Sequence, residues 1–353
     1  MNIDNILSSM VERRASDLIL KAGSPVCLRV NGELFKEGSV LKEEDLKILF
    51  EQVLSRDSGR EIKKDKETVL SFGIKDIGRF RATIFQQKGT LAIVIRSINT
   101  YIPDFETLNL PAKILGDLCD EKRGLVLITG TTGSGKSTTV ASMIERINRE
   151  KAKHIITLED PIEFMYEDKK SIVSQREVKI DTESFQKALE FIMLQTPDII
   201  FIGDIRSSEV MSTALTAAET GQLVIANLHT INTTHTVERI VNFFQPYQHN
   251  EIRMRLSLLL RGVLSLRLVP LKDGSGRIPA CEVLISTPTI VELIREGKLN
   301  EIEYYIKDGS LYGMRTFDQN LFELCKQGLI AKDVAINYAE RKNELTMSLR
   351  DLR

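Results

Sequence analysis

The residues Gly130-Thr131-Thr132-Gly133-Ser134-Gly135-Lys136-Ser137-Thr138 fit GxxxxGK[ST], a spacing whose chemistry is phosphate binding. Gly130, Gly133 and Gly135 lack the Cβ that would keep backbone N–H groups off an anion. Those donors can therefore converge with the positive end of a following helix on one anionic spot. In such a loop Lys136 neutralises the β/γ-phosphates of a nucleotide and the Ser137 hydroxyl ligates Mg²⁺. ATP and Mg²⁺ are the expected ligands, with residues 130–138 as the cradle.

Further candidates follow later apolar runs. After His154-Ile-Ile-Thr-Leu158 come Glu159, Asp160 and Glu163. A carboxylate in that cluster can orient and deprotonate a water attacking a γ-phosphate, or hold Mg²⁺ through water. An acidic turn or helix cap would look the same in isolation. Asp198-Ile-Ile-Phe-Ile-Gly-Asp204 has the form of a Walker B strand, an apolar run ending in an acid, Asp204, beside the metal. His229 stands just after Leu223-Val-Ile-Ala-Asn-Leu228, where an imidazole could donate to a γ-phosphate oxygen and distinguish ATP from ADP. A lone histidine is often only a hydrogen-bonded structural one; its placement after a strand argues for the first reading.

These groups need elements that deliver them to one place. Leu125–Ile128 is a continuous apolar run, expected of a parallel strand buried on both faces, and Val140, Ile144 and Ile147 then mark one stripe of a helix. The three runs named above alternate with helical patterns, which predicts a parallel α/β sheet of the RecA-like kind. In such a sheet ligands bind outside the carboxyl ends of the strands, where each candidate stands. Residues from about 245 onward read as mostly helical, with a polar turn at Lys272–Gly276. Toward the N-terminus, Gly78–Phe85 and Leu91–Ser97 predict an antiparallel hairpin. Its first strand places Phe80, Ala82 and Ile84 on one face and Arg79, Arg81, Thr83 and Phe85 on the other. Pro103 and Pro111 bracket a linker. The expected organisation is a domain over 1–98, a linker over 99–112 and the P-loop domain over 113–353.

The 353 residues carry 48 basic and 49 acidic side chains, a formal charge of −1. That balance offers no global electrostatic footprint for nucleic acid, and the absence of Trp and of a basic-aromatic stripe weighs against a nucleic-acid motor. Cys27, Cys119, Cys281 and Cys325 are isolated from each other, without CxxC spacing, and read as reduced structural thiols. No run of about 18 apolar residues or apolar leader is present, so a cytoplasmic protein without a transmembrane segment is expected.

Together these residues resemble the retraction ATPases of type IV pili, the twitching-motility (PilT/PilU) branch of the secretion ATPases. Ser16-Asp17-Leu-Ile-Leu-Lys-Ala-Gly23-Ser-Pro25 through Arg29-Val-Asn-Gly32 resembles the family's N-terminal signature. Thr157-Leu-Glu159-Asp160-Pro161-Ile-Glu163-Phe resembles its Asp box. Val173-Ser-Gln175-Arg176-Glu177-Val, Ala217-Ala-Glu219-Thr220-Gly221 and Leu228-His229-Thr230, the His box, follow in family order. The resemblance implies a PAS-like α+β N-terminal domain, a RecA-like ATPase domain, and a homo-hexameric ring with ATP held between domains and subunits. It implies Glu163 as catalytic base, Asp204 at the Walker B position, and Arg81 and Arg96 completing the site. It further implies a place at the inner-membrane base of the pilus, with the platform protein and a paralogous primary motor as partners.

Three features depart from the family pattern. Asp204 replaces the usual Glu, Leu194 replaces an Arg, and Thr289-Ile290-Val291-Glu292-Leu293 stands where the family has Ala-Ile-Arg-Asn-Leu. In these features the chain resembles the accessory, PilU-like branch more than the primary motor. Two functions are therefore expected alternatives: a motor that powers retraction, or a nucleotide-gated accessory ring subunit. An assembly or type II secretion ATPase would carry a longer N-terminal region and a paired CxxC zinc element.

Overall fold

The computed structural model describes residues 1–30, 32–56, 67–75, 77–98 and 100–350. Asn31 of the N-terminal signature, Asn99 at the start of the expected linker, and residues 351–353 lie outside the described residues. The chain divides into two compact units, Met1–Tyr101 with Glu163–Met165, and Ile102–Ile162 with Tyr166–Arg353.

The first unit is an antiparallel sheet covered on one face by two helices. Its elements are α1 (Ile3–Glu12), β1 (Asp17–Lys21), β2 (Val26–Val30), β3 (Glu33–Glu37), α2 (Glu43–Leu54), β4 (Glu67–Ile74), β5 (Gly78–Gln87) and β6 (Thr90–Ile98). The strand order is β3-β2-β1-β6-β5-β4. Ile3, Leu7 and Met10 recur at helical spacing on α1, as do Leu46, Leu49 and Val53 on α2, and both stripes are buried against Leu18, Leu28, Phe80, Ala82, Ile84, Ile93 and Ile95. Alternation along β5 therefore sends its arginines to the face opposite the helices. The expected hairpin is present, tightened to a two-residue turn: Gln87 pairs with Thr90 across Lys88 and Gly89, whose φ values are 49° and 79°. Two successive positive φ angles give the turn a twist that matches the flanking strands.

The second unit contains α3 (Ala112–Asp120), β7 (Gly124–Gly130), α4 (Lys136–Glu150), β8 (His154–Glu159), β9 (Ile172–Glu177), α5 (Phe185–Ile192), β10 (Ile199–Ile202), α6 (Ser208–Glu219), β11 (Leu223–Leu228), α7 (Thr233–Val241) and α8 (His249–Leu259). It continues with β12 (Leu260–Pro270), β13 (Arg277–Ile285), α9 (Pro288–Glu296), α10 (Ile302–Asp308), α11 (Phe317–Lys326), α12 (Lys332–Tyr338) and α13 (Lys342–Arg350). Seven strands run in the order β13-β12-β7-β11-β10-β8-β9; all neighbours are parallel except β12 and β13. Strands β7, β10 and β11 are buried along their whole length, because α3 and α4 cover one face and α5 to α10 the other. Val140, Ile144 and Ile147 lie in the α4 layer as the helical stripe predicts. Phe105 and Leu110, from the segment expected to be a linker, are buried in this same layer.

The C-terminal part is mostly helical, as expected, with one strand pair inside it. The stretch from about 245 is helical at α8 and from α9 onward, but residues 260–285 form the β12–β13 hairpin around the polar turn. Leu and Arg dominate β12 and are good helix formers. Pairing with β7, from Leu260 opposite Leu125 to Leu266 opposite Gly130, overrides that preference. The hairpin also carries a small second core, in which Val269, Ile278 and Ala280 pack against Phe317, Leu321 and Leu324 of α11 and against α12 and α13.

Candidate functional site

At the end of β7 the backbone enters the Gly-rich loop through Gly130, whose φ is 147°. A Cβ there would meet the side chain of Ser134 and lie 2.5 Å from the Leu266 carbonyl oxygen of β12. Only glycine lets the loop lie this close to the neighbouring strand. Gly135, in the left-handed region at φ 99°, is the N-cap of α4 and supplies no side-chain cap, leaving the first-turn amides to an anion. Thr131, Thr132 and Gly133 are exposed, while Ser134 and Lys136 are buried and Ser137 and Thr138 half-buried. The Lys136 ammonium folds back over the loop and donates to Gly130 O at 2.8 Å and Thr131 O at 2.9 Å.

Strand order places the other groups. β11 lies between β7 and β10, so His229, following β11, stands between the loop that follows β7 and Asp204, which follows β10. His229 Nδ1 is 3.5 Å from Lys136 Nζ, and Nε2 is 3.3 Å from Asp204 Oδ2. Arg206 Nε bonds the same Asp204 oxygen, and this bond raises the Arg206 pKa above its ordinary value. The result is a continuous polar chain, Lys136–His229–Asp204–Arg206, across three adjacent strand ends.

Asp204 is 8% exposed, and its Oδ1 is buried without a hydrogen-bond partner, as are Ser134 Oγ and Asn227 Oδ1. An orphaned carboxylate oxygen costs free energy unless something occupies it. These atoms fit a magnesium nucleotide, since Mg²⁺ takes one or two protein oxygens and completes its shell with water and phosphate. Among the described residues no cluster of three or more His, Cys, Asp or Glu would hold a metal alone. A cavity of about 200 Å³ opens beside the loop, lined by Ser134, Gly135, Thr138, Asn109, Leu110 and Arg277. A larger cleft of about 630 Å³, bordered by Ile114, Phe317, Phe322 and Arg341, contains none of the sequence-nominated residues, so size alone does not mark the site.

The three carboxylates after β8 differ in their surroundings. Glu159 is buried and accepts from Thr157 Oγ1 at 2.7 Å and Gln175 Nε2 at 3.3 Å, which commits it to holding β8 and β9. Asp160 is exposed and faces Lys179 Nζ at 3.3 Å. Glu163 is exposed and groups with the first unit.

Within the first unit, Arg81 of β5 lies directly opposite Arg96 of β6, Arg96 opposite Asp17 of β1, and Asp17 opposite Arg29 of β2. These four residues form one row on the face away from the helices. Asp17 is buried between Arg96 Nε at 2.8 Å and Arg29 Nε at 3.5 Å. Its carboxylate offsets the like-charge arginine pair, which would otherwise oppose strand pairing.

Several participants were not singled out from the sequence. Asn227 is the polar exception in the apolar run of β11, a signal that was present but unread. Glu282 of β13 is 3% exposed and accepts from both Thr233 N (2.8 Å) and Thr233 Oγ1 (2.7 Å) at the start of α7. Burial pushes its pKa up to about 7 against the pull of these donors and of Arg267. Cys119 and Cys281 are pushed up by burial to about 12 and about 11, so they stay protonated and unreactive.

A family model of type II/IV secretion system proteins matches residues 1–308. The type IV pilus ATPase PilU of Pseudomonas aeruginosa is 40% identical over 351 residues, covering 99% of this chain and 92% of PilU. The type IV pilus retraction ATPase PilT of the same organism is 39% identical over 336 residues, 95% of this chain and 97% of PilT. The crystal structure of the pilus retraction motor PilT with bound ADP matches at TM-score 0.89 and 42% identity, over 98% of this chain and 99% of that one. Among the described residues no helix is long and apolar enough to cross a membrane.

Proposed function

The chain belongs to the family of type II/IV secretion system proteins, and on that premise we propose that it hydrolyses ATP as a subunit of a type IV pilus retraction machine. The observation that carries this reading is the Lys136–His229–Asp204 chain beside the Gly-rich loop. It joins a phosphate-binding lysine, an imidazole and a metal-type carboxylate across adjacent strand ends. Similarity to PilT and PilU supports the pilus assignment.

In this reading the amides of 130–138 and Lys136 hold the triphosphate. Lys136 exchanges its bonds to Gly130 O and Thr131 O for phosphate oxygens. Ser137 and the orphaned Oδ1 of Asp204 would hold Mg²⁺, which when bound neutralises phosphate charge. His229 donates to the terminal phosphate, and Glu163 accepts the proton of the attacking water. Arg81 and Arg96, from a PAS-like N-terminal domain, stabilise charge on the transferring phosphoryl group across a homo-hexameric interface. The ring works at the cytoplasmic face of the pilus base, against the platform protein. Steady-state ATPase of the purified chain with and without Mg²⁺ tests the reading; absence of Mg²⁺-dependent turnover in a folded protein that also fails to bind ATP would refute it.

The surface of α9 favours a second reading, an accessory ring subunit that supports a primary retraction motor. Ile290, Leu293 and Ile294 keep this helix in the core, whereas Val291 is half-buried and Glu292 exposed, held near Arg295 at 3.8 Å. Replacement of the family's Arg and Asn there changes the outward surface and leaves the packing intact. Leu194, 78% exposed, likewise alters only surface. Turnover measured alone and with a primary retraction motor separates the two readings.

A further inference from the structure

The first turn of α7 is tied into the molecule by an unusual density of buried hydroxyls. Thr236 is fully buried, and its Oγ1 donates to Asn232 O at 2.7 Å, one helical turn back. With its proton so used, Thr236 accepts from the Thr230 hydroxyl at 2.7 Å. Thr236 Oγ1 is also 3.4 Å from Thr129 Oγ1, which bonds Ser265 Oγ of β12 at 2.7 Å. Thr129 immediately precedes Gly130 of the phosphate loop, and Thr230 immediately follows His229. The relay thus joins the roots of the two elements that meet at Lys136 Nζ and His229 Nδ1. Around it the turn is pinned again: Thr233 bonds Glu282, Ile231 O accepts from Arg267 at 3.2 Å, and Asn232 Nδ2 donates to Glu340 at 3.3 Å.

A purely structural role would require only that the buried polar atoms be satisfied. Apolar residues of like shape replacing the partnered threonines together would serve the core nearly as well, whereas a valine at 236 alone leaves the Thr230 hydroxyl without its acceptor. The hydroxyl of Thr236 does something a valine could not: it sets where the turn 229–232 sits relative to the strand that carries the phosphate loop. We infer that Thr236 is a positioning residue for His229, with Thr129 and Thr230 as its partners. It fixes the imidazole between Lys136 and Asp204 so that the terminal phosphate meets it in register. This inference rests on the reading of His229 as the terminal-phosphate contact.

The test compares Thr236→Val, which keeps shape and loses the hydroxyl, with Thr236→Ser, which keeps the hydroxyl and loses a methyl. In the full-length protein Thr236→Val should lower kcat roughly tenfold or more with KM changed less than about threefold, since small misplacements act on turnover more than on binding. Thr236→Ser should return kcat to within about threefold of wild type. The chain has four histidines, so selectively labelled histidine gives a spectrum simple enough to follow His229, assigned through His229→Asn. In nucleotide-free protein the His229 ring resonance should move or broaden in Thr236→Val and return in Thr236→Ser. Wild-type turnover in Thr236→Val, equal defects in both variants, or an unmoved His229 resonance overturns the inference. If the wild-type chain hydrolyses no ATP, the functional reading fails separately and the resonance alone decides the position of the imidazole.

Discussion

His229 Nε2 stands 3.3 Å from the same Asp204 oxygen that receives Arg206. One carboxylate oxygen is therefore shared by an imidazole and a guanidinium, while the other is buried without a partner. In the proposed site this asymmetry leaves Oδ1 for the metal while Oδ2 stays on His229 and Arg206, and it can be tested by changing the length and the charge of the side chain separately.

Asp204→Asn keeps the size and removes the charge, so turnover should fall by about 10²-fold and the Mg²⁺ concentration needed for half-maximal rate should rise. Asp204→Glu restores the family's usual side chain but pushes the carboxylate one methylene outward toward Arg206 and His229. With two groups already gathered around it, a displacement near 1 Å should lower turnover, by up to about 10²-fold. Magnesium titrations of the ATPase rate check both; a wild-type Mg²⁺ requirement in Asp204→Asn would remove this residue from the metal site.

Lys136→Ala should weaken ATP binding by roughly tenfold to over a hundredfold, the equivalent of a charge-assisted contact of about 1.5–3 kcal/mol. Far-UV circular dichroism should stay unchanged, because the ammonium bonds the loop and not the core. Calorimetric titration with ATP is the measurement, and unaltered affinity would disprove the assignment.

Glu163→Gln preserves shape and hydrogen bonding but cannot accept a proton. ATP affinity should persist while turnover falls by about 10² or more. Normal hydrolysis in this variant would move the base to another carboxylate, with Asp160 the exposed neighbour.

Arg81→Ala and Arg96→Ala should each reduce turnover, by up to about 10³-fold, if these arginines stabilise the transferring phosphoryl group. Arg96 is bonded to the buried Asp17, so its loss leaves that carboxylate with the Ser16 hydroxyl and the longer Arg29 contact, and Arg96→Ala should also lower the thermal midpoint. Wild-type turnover in both variants, measured in protein that still assembles, would exclude the row from catalysis.

Glu282 gives a prediction in pH. Its folded pKa of about 7 lies above the ordinary 4.5, so between these values the unfolded chain releases a proton that the folded chain retains. Stability from this group is complete below about pH 4.5 and declines as pH rises toward 7, by about 3 kcal/mol in all. Urea unfolding of wild type and Glu282→Gln across that window should show this decline in wild type alone. Parallel pH profiles for the two proteins would contradict the assignment.

Local pattern was enough to locate the Gly-rich loop, its flanking strand and helix, and the three later strands, because each is a short apolar run bounded by polar groups. β11 begins and ends at the limits of its apolar run, Leu223 and Leu228. Strand order was not legible. That β11 inserts between β7 and β10, and so brings His229 between Lys136 and Asp204, depends on long-range pairing that no stretch of residues encodes by itself. The β12–β13 hairpin escaped for a related reason: a Leu- and Arg-rich segment becomes a strand only when β7 offers an edge. Glu282 and Thr236 look like ordinary polar residues in sequence and gain meaning only when burial brings them to the start of α7.

The crowding at Gly130 links the freedom of these distant segments to vary. Because the Leu266 carbonyl occupies the space that a Cβ would need, substitution tolerance at the first loop position is set by the register of a hairpin far along the chain. An insertion in β12 that slid it past β7 would be felt first as a loosened loop, before any loss of fold. Sequence change in the hairpin is therefore coupled to nucleotide affinity, and in a library of variants the two regions should drift together.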